Sequence, residues 1–278
     1  MMSSRGNVTD WRGAGGFAAG PSDSLALNPT IVLFCGLLAL GAVAVALYAD
    51  GWLAAWQAGL LNVVVLYGLY TVSHESAHGL IHPSPMLNGA IGRTSAALEG
   101  ITFPLYKILH CQHHAHTNDP VRDPDQVIGR KPRWLFPVWV LVRLLHDNSF
   151  AVSRGLWRGH RAYLVEHLVT VSIQAAVIIT ATVMGRFTEL ALLWLLPVVV
   201  SGLLVELTVA WLVHYPQESL HPLENSKMFR GRLSAILTLN QSLHLVHHLW
   251  PRTPWYRYGR LADVAEKAVS DHSGNAGL

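Results

Sequence analysis

The chain has 278 residues, of which 51% are hydrophobic and 13% charged, with a formal net charge of +3. Soluble domains carry about 25% charged residues, so this balance excludes an ordinary water-soluble fold and points to a membrane protein. The only two cysteines, Cys35 and Cys111, are too few for a disulfide framework and suit a reducing cytoplasmic face.

Residues 1–23 are polar and Gly-rich, and read as a flexible cytosolic tail rather than a cleavable signal peptide. Four apolar runs follow. Ser24 to Ala49, Gly51 to Ser73 and His167 to Gly185 contain no Asp, Glu, Lys or Arg, and Leu190 to Val213 is interrupted only by Glu206. Each is near or above the ~20 residues that carry a helix across the hydrocarbon core. The expected fold is therefore all-α, with spans at about 29–48, 52–73, 166–185 and 190–213 in a membrane domain over 24–260. Residues 261–278 are expected to be a C-terminal tail, a short helix with a frayed polar end.

Basic residues set the orientation. Of the 20 Lys and Arg, only Arg186 falls in the connectors Asp50–Gly51 and Arg186–Glu189. The positive-inside rule places the other side, with both termini and the long 79–162 segment, in the cytoplasm.

Between the second and third spans, Met86 to Leu109 is moderately apolar, broken at Pro104, and reads as an interfacial helix pair lying against the membrane.

Histidines gather on the same cytoplasmic side. HESAH supplies His74 and His78, HCQHHAH supplies His110, His113, His114 and His116, HLVHH supplies His244, His247 and His248, and His214 closes the fourth span. On a helix, spacings of three and four residues put side chains on one face, so each box offers converging imidazoles. The eight box imidazoles exceed the needs of one ion, since zinc takes four ligands; with His214 they suit a pair of five- or six-coordinate ions. Imidazole favours iron, copper, nickel or zinc over magnesium or calcium, and oxygen chemistry at open positions favours iron.

HESAH alone also fits the helical zinc-protease signature H-E-x-x-H, in which Glu75 would activate water. That reading leaves both H-x-x-H-H boxes unused. Axial haem ligation is a further alternative, but it calls for single histidines inside spans rather than clusters at one end.

The boxes resemble those of the membrane fatty acid desaturase and hydroxylase superfamily, over roughly residues 60 to 260. Within it, HHAHTNDPVRDPD at 113–125 and NQSLHLVHHLWPRTPWYRY at 240–258 are most similar to desaturase-like β-carotene ring hydroxylases. The resemblance implies a four-span fold with a cytosolic histidine-rich cap around two non-haem iron ions. It makes His74, His78, His110, His113, His114, His244, His247 and His248 iron ligands, with His214 an additional one. His82 and His116 are expected to be structural or supporting. Glu75 is expected to orient an imidazole. Asn240, one turn before His244, is placed to reach the metal through water or to cap the helix. Asn118, Asp119, Asp123 and Asp125 read first as turn chemistry and second as metal support.

The implied reaction is oxygen-dependent oxidation of an unactivated C–H bond in a bilayer lipid, either a carotenoid ring or a fatty acyl chain. Histidine spacing does not separate hydroxylation from desaturation. Glu206, about 12 Å deeper than His214 along one helix, either lines the substrate route or bonds protonated to a neighbouring helix. The sequence has no dinucleotide fingerprint and no haem or cluster motif, so an external donor, ferredoxin-like or a cytochrome, must supply electrons. The basic cluster Arg122, Arg130, Lys131, Arg133, Arg143, Arg154, Arg158 and Arg161 either binds anionic headgroups or docks that donor.

Overall fold

The computed structural model describes residues 28–129, 134 and 138–275, so the expected 1–23 tail lies outside the described residues. Among the described residues all regular structure is helical. Four helices are long and apolar enough to cross a membrane: α1 (Pro29–Ala49), α2 (Ala55–Ala77), α6 (Arg161–Val183) and α7 (Phe187–His214). Between α2 and α6 lie α3 (Pro85–Leu98), α4 (Phe103–His116) and α5 (Trp139–Ser153). After α7 come α8 (Arg232–Leu237), α9 (His244–Leu249) and α10 (Tyr258–Asn275).

α1 starts where its sequence directs. The Asn28 side chain accepts the Ile31 N–H at 2.9 Å, and Pro29 fills the first helical position, where no N–H is needed. The same Asn28 amide donates to the Ile81 carbonyl, which pins the start of α1 beside the end of α2. Leu37 of α1 packs with Val65, Leu66, Leu69 and Val72 of α2, and Trp194 and Val198 of α7 close the cluster.

α2 and α7 run parallel and very close. A Cβ on Gly59 would sit 2.3 Å from the Leu192 carbonyl oxygen, so only glycine permits this approach. Beside it, the Asn62 amide donates to the Leu193 carbonyl at 2.7 Å. That carbonyl needs an outside partner because α7 widens into a π-turn over Ala191–Leu195. A second π-turn, Glu206–Trp211, immediately precedes His214 and re-aims the last turn of the helix. The outward faces of α1, α6 and α7 carry exposed Val32, Val43, Ile173, Ile179 and Leu196, the surface that lipid would cover.

The α3–α4 pair does not lie along the surface. It forms a hairpin inserted between the spans, and Pro104 opens α4 instead of breaking a helix. The carbonyls at the hairpin's tip take side-chain donors from two spans. Gln174, midway along α6, donates to Ala97 O at 3.3 Å and Ile101 O at 3.5 Å, while Trp194 of α7 donates to Leu98 O at 2.7 Å. Backbone groups at membrane depth must be satisfied within the protein, and these two side chains do so. Arg93 and Glu166 form a two-bond ion pair at 2.6 and 2.8 Å, and Thr102, next to Ile101, meets His167 at 2.7 Å.

The described C-terminal residues form one helix, α10, longer than the short helix expected. In the 18-residue α10, Tyr258, Leu261, Ala262 and Ala265 are buried against Leu245, Val246 and Leu249 of α9. This helix is therefore the floor on which the third histidine box rests.

Candidate metal centre

Three helix ends and one short helix bring the histidines together. α2 carries His74 in its last turn and His78 at its cap, α4 carries His110, His113 and His114 on one face, α7 ends at His214, and α9 carries His244, His247 and His248. Their donor atoms fall into two groups, each within 4.8 Å of one another: His74, His78, His110, His114 and His247, and separately His113, His214, His244 and His248. Neither group is built from one box. The second box sends His110 and His114 one way and His113 the other, and the third divides His247 from His244 and His248 in the same manner.

Within the first group the ring nitrogens point at one another. Nε2–Nε2 separations are 3.0 Å for His74–His247, 2.8 Å for His78–His110, 3.1 Å for His110–His114 and 2.7 Å for His114–His247. In the second group His113 and His248 approach to 3.3 Å. An ion bonded to nitrogen at about 2.1 Å with ligands at right angles sets adjacent nitrogens about 3.0 Å apart, so these spacings fit cations between the rings.

Contacts to the other ring nitrogen decide the tautomers. Tyr258 Oη lies 2.9 Å from His247 Nδ1, Asp123 Oδ1 lies 2.9 Å from His113 Nδ1, and the Asn225 carbonyl lies 2.9 Å from His214 Nδ1. Thr117 Oγ1 sits 3.3 Å from His248 Nδ1. The Asp123 carboxylate and the Asn225 carbonyl can only accept, and the Thr117 hydroxyl already donates to the His113 carbonyl, so each takes an Nδ1–H; the Tyr258 hydroxyl can do the same for His247, which turns Nε2 of each ring towards its group, the arrangement metal-binding imidazoles use. His214 Nε2 is buried with no hydrogen-bond partner, as a nitrogen reserved for a metal would be.

Burial also keeps most of these rings neutral. It depresses His110, His114, His244, His247 and His248 well below the ordinary histidine value, with neighbouring imidazoles adding to the effect, and brings His78 down to about 4. His113 is the exception. Burial opposes its charge, but Asp123 and Asp125 outweigh that and push it up to about 8. Nine mostly neutral nitrogen donors with no carboxylate among them fit first-row transition ions, iron included, and not magnesium or calcium.

On the membrane side, aromatic rings close the first group. Tyr70 stacks on His74 at 5.9 Å and Tyr106 on His110 at 5.5 Å, each one turn deeper than its histidine.

All nine histidines expected at the site lie in the two groups; His82, His116 and Asn240 lie in neither. His82 Nδ1 accepts the Ser84 N–H at 2.9 Å, a turn contact. Asn240 has φ +61 and donates to the Trp255 carbonyl at 3.2 Å, shaping the turn before α9. Glu75 is fully buried beside His74 and lies in neither group. Its Oε1 accepts the Trp255 N–H at 3.2 Å and stays 4.0 Å from His74 Nδ1.

Other neighbours were less legible. Asp123 does both things open to it: Oδ2 accepts the Asn118 N–H at 2.7 Å while Oδ1 holds His113. Tyr258 belongs to the WYRY run but carried no spacing signal, and the Asn225 contact is made by backbone. Glu206 meets Arg143, with Nε 3.2 Å from Oε1, an ion pair without hydrogen-bond alignment. That pairing separates Arg143 from the expected basic cluster, of which Arg130, Lys131 and Arg133 lie outside the described residues.

His221, Glu224 and His272 form a further group away from the centre, with His272 Nε2 3.1 Å from Glu224 Oε1. Its two imidazoles stack in parallel at 4.1 Å and 6°, so their in-plane lone pairs do not converge on one point.

Four membrane-length helices, with nine histidines gathered at the ends of α2, α4 and α7 and on α9, define a helical membrane protein with two histidine groups able to hold metal ions. The chain belongs to the fatty acid desaturase family, whose model, described as "Fatty acid desaturase", matches residues 50–275. It is similar to a β-carotene ketolase of Paracoccus sp. (strain PC1), 26% identical over 207 residues that cover 72% of this chain and 76% of the relative. A second β-carotene ketolase, from Paracoccus sp. (strain N81106 / MBIC 01143), is 26% identical over 199 residues, covering 68% and 72%. An endoplasmic reticulum omega-3 fatty acid desaturase of Nicotiana tabacum is 20% identical over 283 residues, covering 90% and 73%. The protein is accordingly an oxygen-dependent membrane oxidoreductase of this family. The two Paracoccus relatives carry the name of ketolases, not of the ring hydroxylases that the flanking motifs resemble.

Proposed function

We propose that the protein is a di-iron enzyme that oxidises a C–H bond on the ionone ring of a carotenoid to an alcohol. The observation that supports this most is the pair of all-histidine groups at the ends of α2, α4, α7 and α9, in a chain similar to two carotenoid-modifying relatives. In this reading His74, His78, His110, His114 and His247 would hold one ion, and His113, His214, His244 and His248 the other. When bound, the iron pair supplies the reduction of oxygen and the oxidation of the C–H bond.

The chain's own residues do the rest. Tyr258, Asp123, Thr117 and the Asn225 carbonyl keep each imidazole turned with Nε2 inward. Tyr70 and Tyr106 exclude water from the membrane side and offer aromatic faces to a conjugated apolar substrate. Each hydroxylation consumes one O2, two electrons and two protons and releases one water. An external donor, ferredoxin-like or a cytochrome, delivers the electrons at the cytoplasmic face, where this reading also places both termini.

A ketone arises when the same carbon is hydroxylated twice and loses water, so ring hydroxylation and ketolation share their first step. The names of the two Paracoccus relatives favour the ketone as the second product to look for. Expression in a host that accumulates β-carotene, followed by chromatography and mass analysis of the pigments, tests the proposal. Products heavier by one oxygen are expected, and products heavier by one oxygen less two hydrogens mark the ketone. Unchanged carotenoids with newly unsaturated or hydroxylated fatty acids would replace this reading with a fatty acyl one, as the tobacco relative suggests.

A further inference from the structure

α5 contributes no histidine to either group, yet its Arg143 stands at the junction of three elements. Its Nη2 lies 2.8 Å from Asp125 Oδ1, Nη1 lies 3.5 Å from Asp147 Oδ1 and 3.2 Å from the Pro124 carbonyl, and Nε lies 3.2 Å from Glu206 Oε1. All four charged side chains are largely enclosed, at 15–20% exposure, so the pairs are little screened. Asp125 in turn places Oδ2 3.5 Å from His113 Nδ1, beside the closer Asp123. The chain of contacts runs from the π-turn of α7, through Arg143, to the ring of one histidine of the four-membered group. His214 of that same group follows the π-turn on α7, one turn beyond Trp211. Among the described residues no such arginine–carboxylate cluster touches the five-histidine group, where Glu75 is the adjacent carboxylate and its Oε1 hydrogen bond goes to Trp255.

We propose that Arg143 is a positioning residue for one half of the metal centre: it fixes Asp125 against His113 and ties α5 to Glu206 of α7, so the four-histidine group depends on it and the five-histidine group does not. A planar guanidinium suits this task because its fork meets several carboxylates at once, which an ammonium on a flexible stem cannot reproduce.

The inference rests on the reading that both groups hold iron, and the test separates the two. The full chain, purified in detergent, is titrated anaerobically with Fe(II), and 57Fe Mössbauer spectra are recorded on the loaded protein. Failure of the wild type to take up two ions overturns the metal reading itself, and the inference with it. Given two ions, Arg143→Gln is expected to weaken one binding step by about 10- to 100-fold and alter one iron signal while the other stays as in wild type. Combined with His248→Ala, Arg143→Gln should produce no further loss; combined with His78→Ala, it should still weaken the remaining ion. If Arg143→Gln does not fold, Arg143→Lys carries the same comparison, keeping the charge and losing the fork, with a smaller but equally one-sided effect. Equal weakening of both ions, no change in either, or the same additional loss in both histidine backgrounds would overturn the inference.

Discussion

Replacing Tyr258 by Phe removes one oxygen atom from the centre's support and nothing else. The phenol is fully buried, its ring packs with Leu261, Ala262 and Val246, and its oxygen lies 2.9 Å from His247 Nδ1. Phenylalanine keeps the ring and its apolar contacts, so the burial term is nearly unchanged. The hydrogen bond is what disappears, leaving a buried Nδ1–H without an acceptor at a cost of about 1–3 kcal/mol. In a chain of this size that corresponds to a fall in Tm of roughly 2–4 °C per kcal/mol. The freed imidazole can also turn, and loss of such a support typically lowers metal affinity about 10- to 100-fold. Thermal unfolding of detergent-solubilised protein, with and without Fe(II), measures the first effect, and anaerobic Fe(II) titration measures the second. The expected result is weakening of the ion held by the five-histidine group alone, because His247 belongs to it. Two binding steps within twofold of wild type would refute the claim that Tyr258 orients His247, and equal weakening of both would refute the division of the centre into two groups.

Two further substitutions probe the hairpin. A Cβ at Gly92 would lie 2.1 Å from Ser76 Oγ and 2.6 Å from Phe103 Cε2, so Gly92→Ala should cost about 1–3 kcal/mol in thermal unfolding. Ser76 stands between His74 and His78, so iron uptake should fall with it. Gly36→Ala, which meets nothing within 4 Å, is the control expected to leave Tm and iron content unchanged or raise Tm slightly. Glu99, at the tip, has Oε1 enclosed without a hydrogen-bond partner, while Oε2 accepts the Ser73 hydroxyl at 3.3 Å. Glu99→Gln keeps the side chain's shape and removes the cost of enclosing a carboxylate, so Tm is expected to stay level or rise. A loss of more than about 1 kcal/mol in thermal unfolding would refute that reading.

The parts of this structure that sequence reveals are those governed by solvent. Uncharged runs mark helices that must sit in lipid, because one unpaired Lys or Asp at the bilayer centre costs several kcal/mol. Box spacing shows which imidazoles share a helix face. How a box divides between two ions is a different matter, since it depends on how α4 and α9 cross. His110 and His114, four residues apart, join His78, while His113 between them is turned towards His214 and His248. The inserted hairpin was hidden for a related reason. Arg93, Glu99 and Lys107 give α3 and α4 the charge of a surface pair, but Arg93 is neutralised by Glu166, Glu99 is enclosed, and Lys107 lies over the Phe103 ring at 5.9 Å. Partners from distant segments, Gln174 and Trp194 for the tip and Arg143 for Glu206, have no local pattern that would announce them.

HESAH shows how the surroundings of a motif decide its chemistry. A zinc peptidase reading requires Glu75 to face the metal's open side and reach a water there. In this fold the carboxylate of the next residue after His74 on α2 accepts the backbone N–H of Trp255, in the loop that leads from the third box into α10. That contact joins the first histidine box to the third across the whole sequence. Trp255 also donates its indole N–H to Thr30 at 3.2 Å, so the start of α1, the end of α2 and the approach to α10 meet at one residue. The glutamate that a peptidase would use as a base accepts a backbone hydrogen bond here, and the two boxes it links bring His74 and His247 to 3.0 Å. With three further histidines completing their group, two histidines and a carboxylate that resemble a complete site become one edge of a larger one.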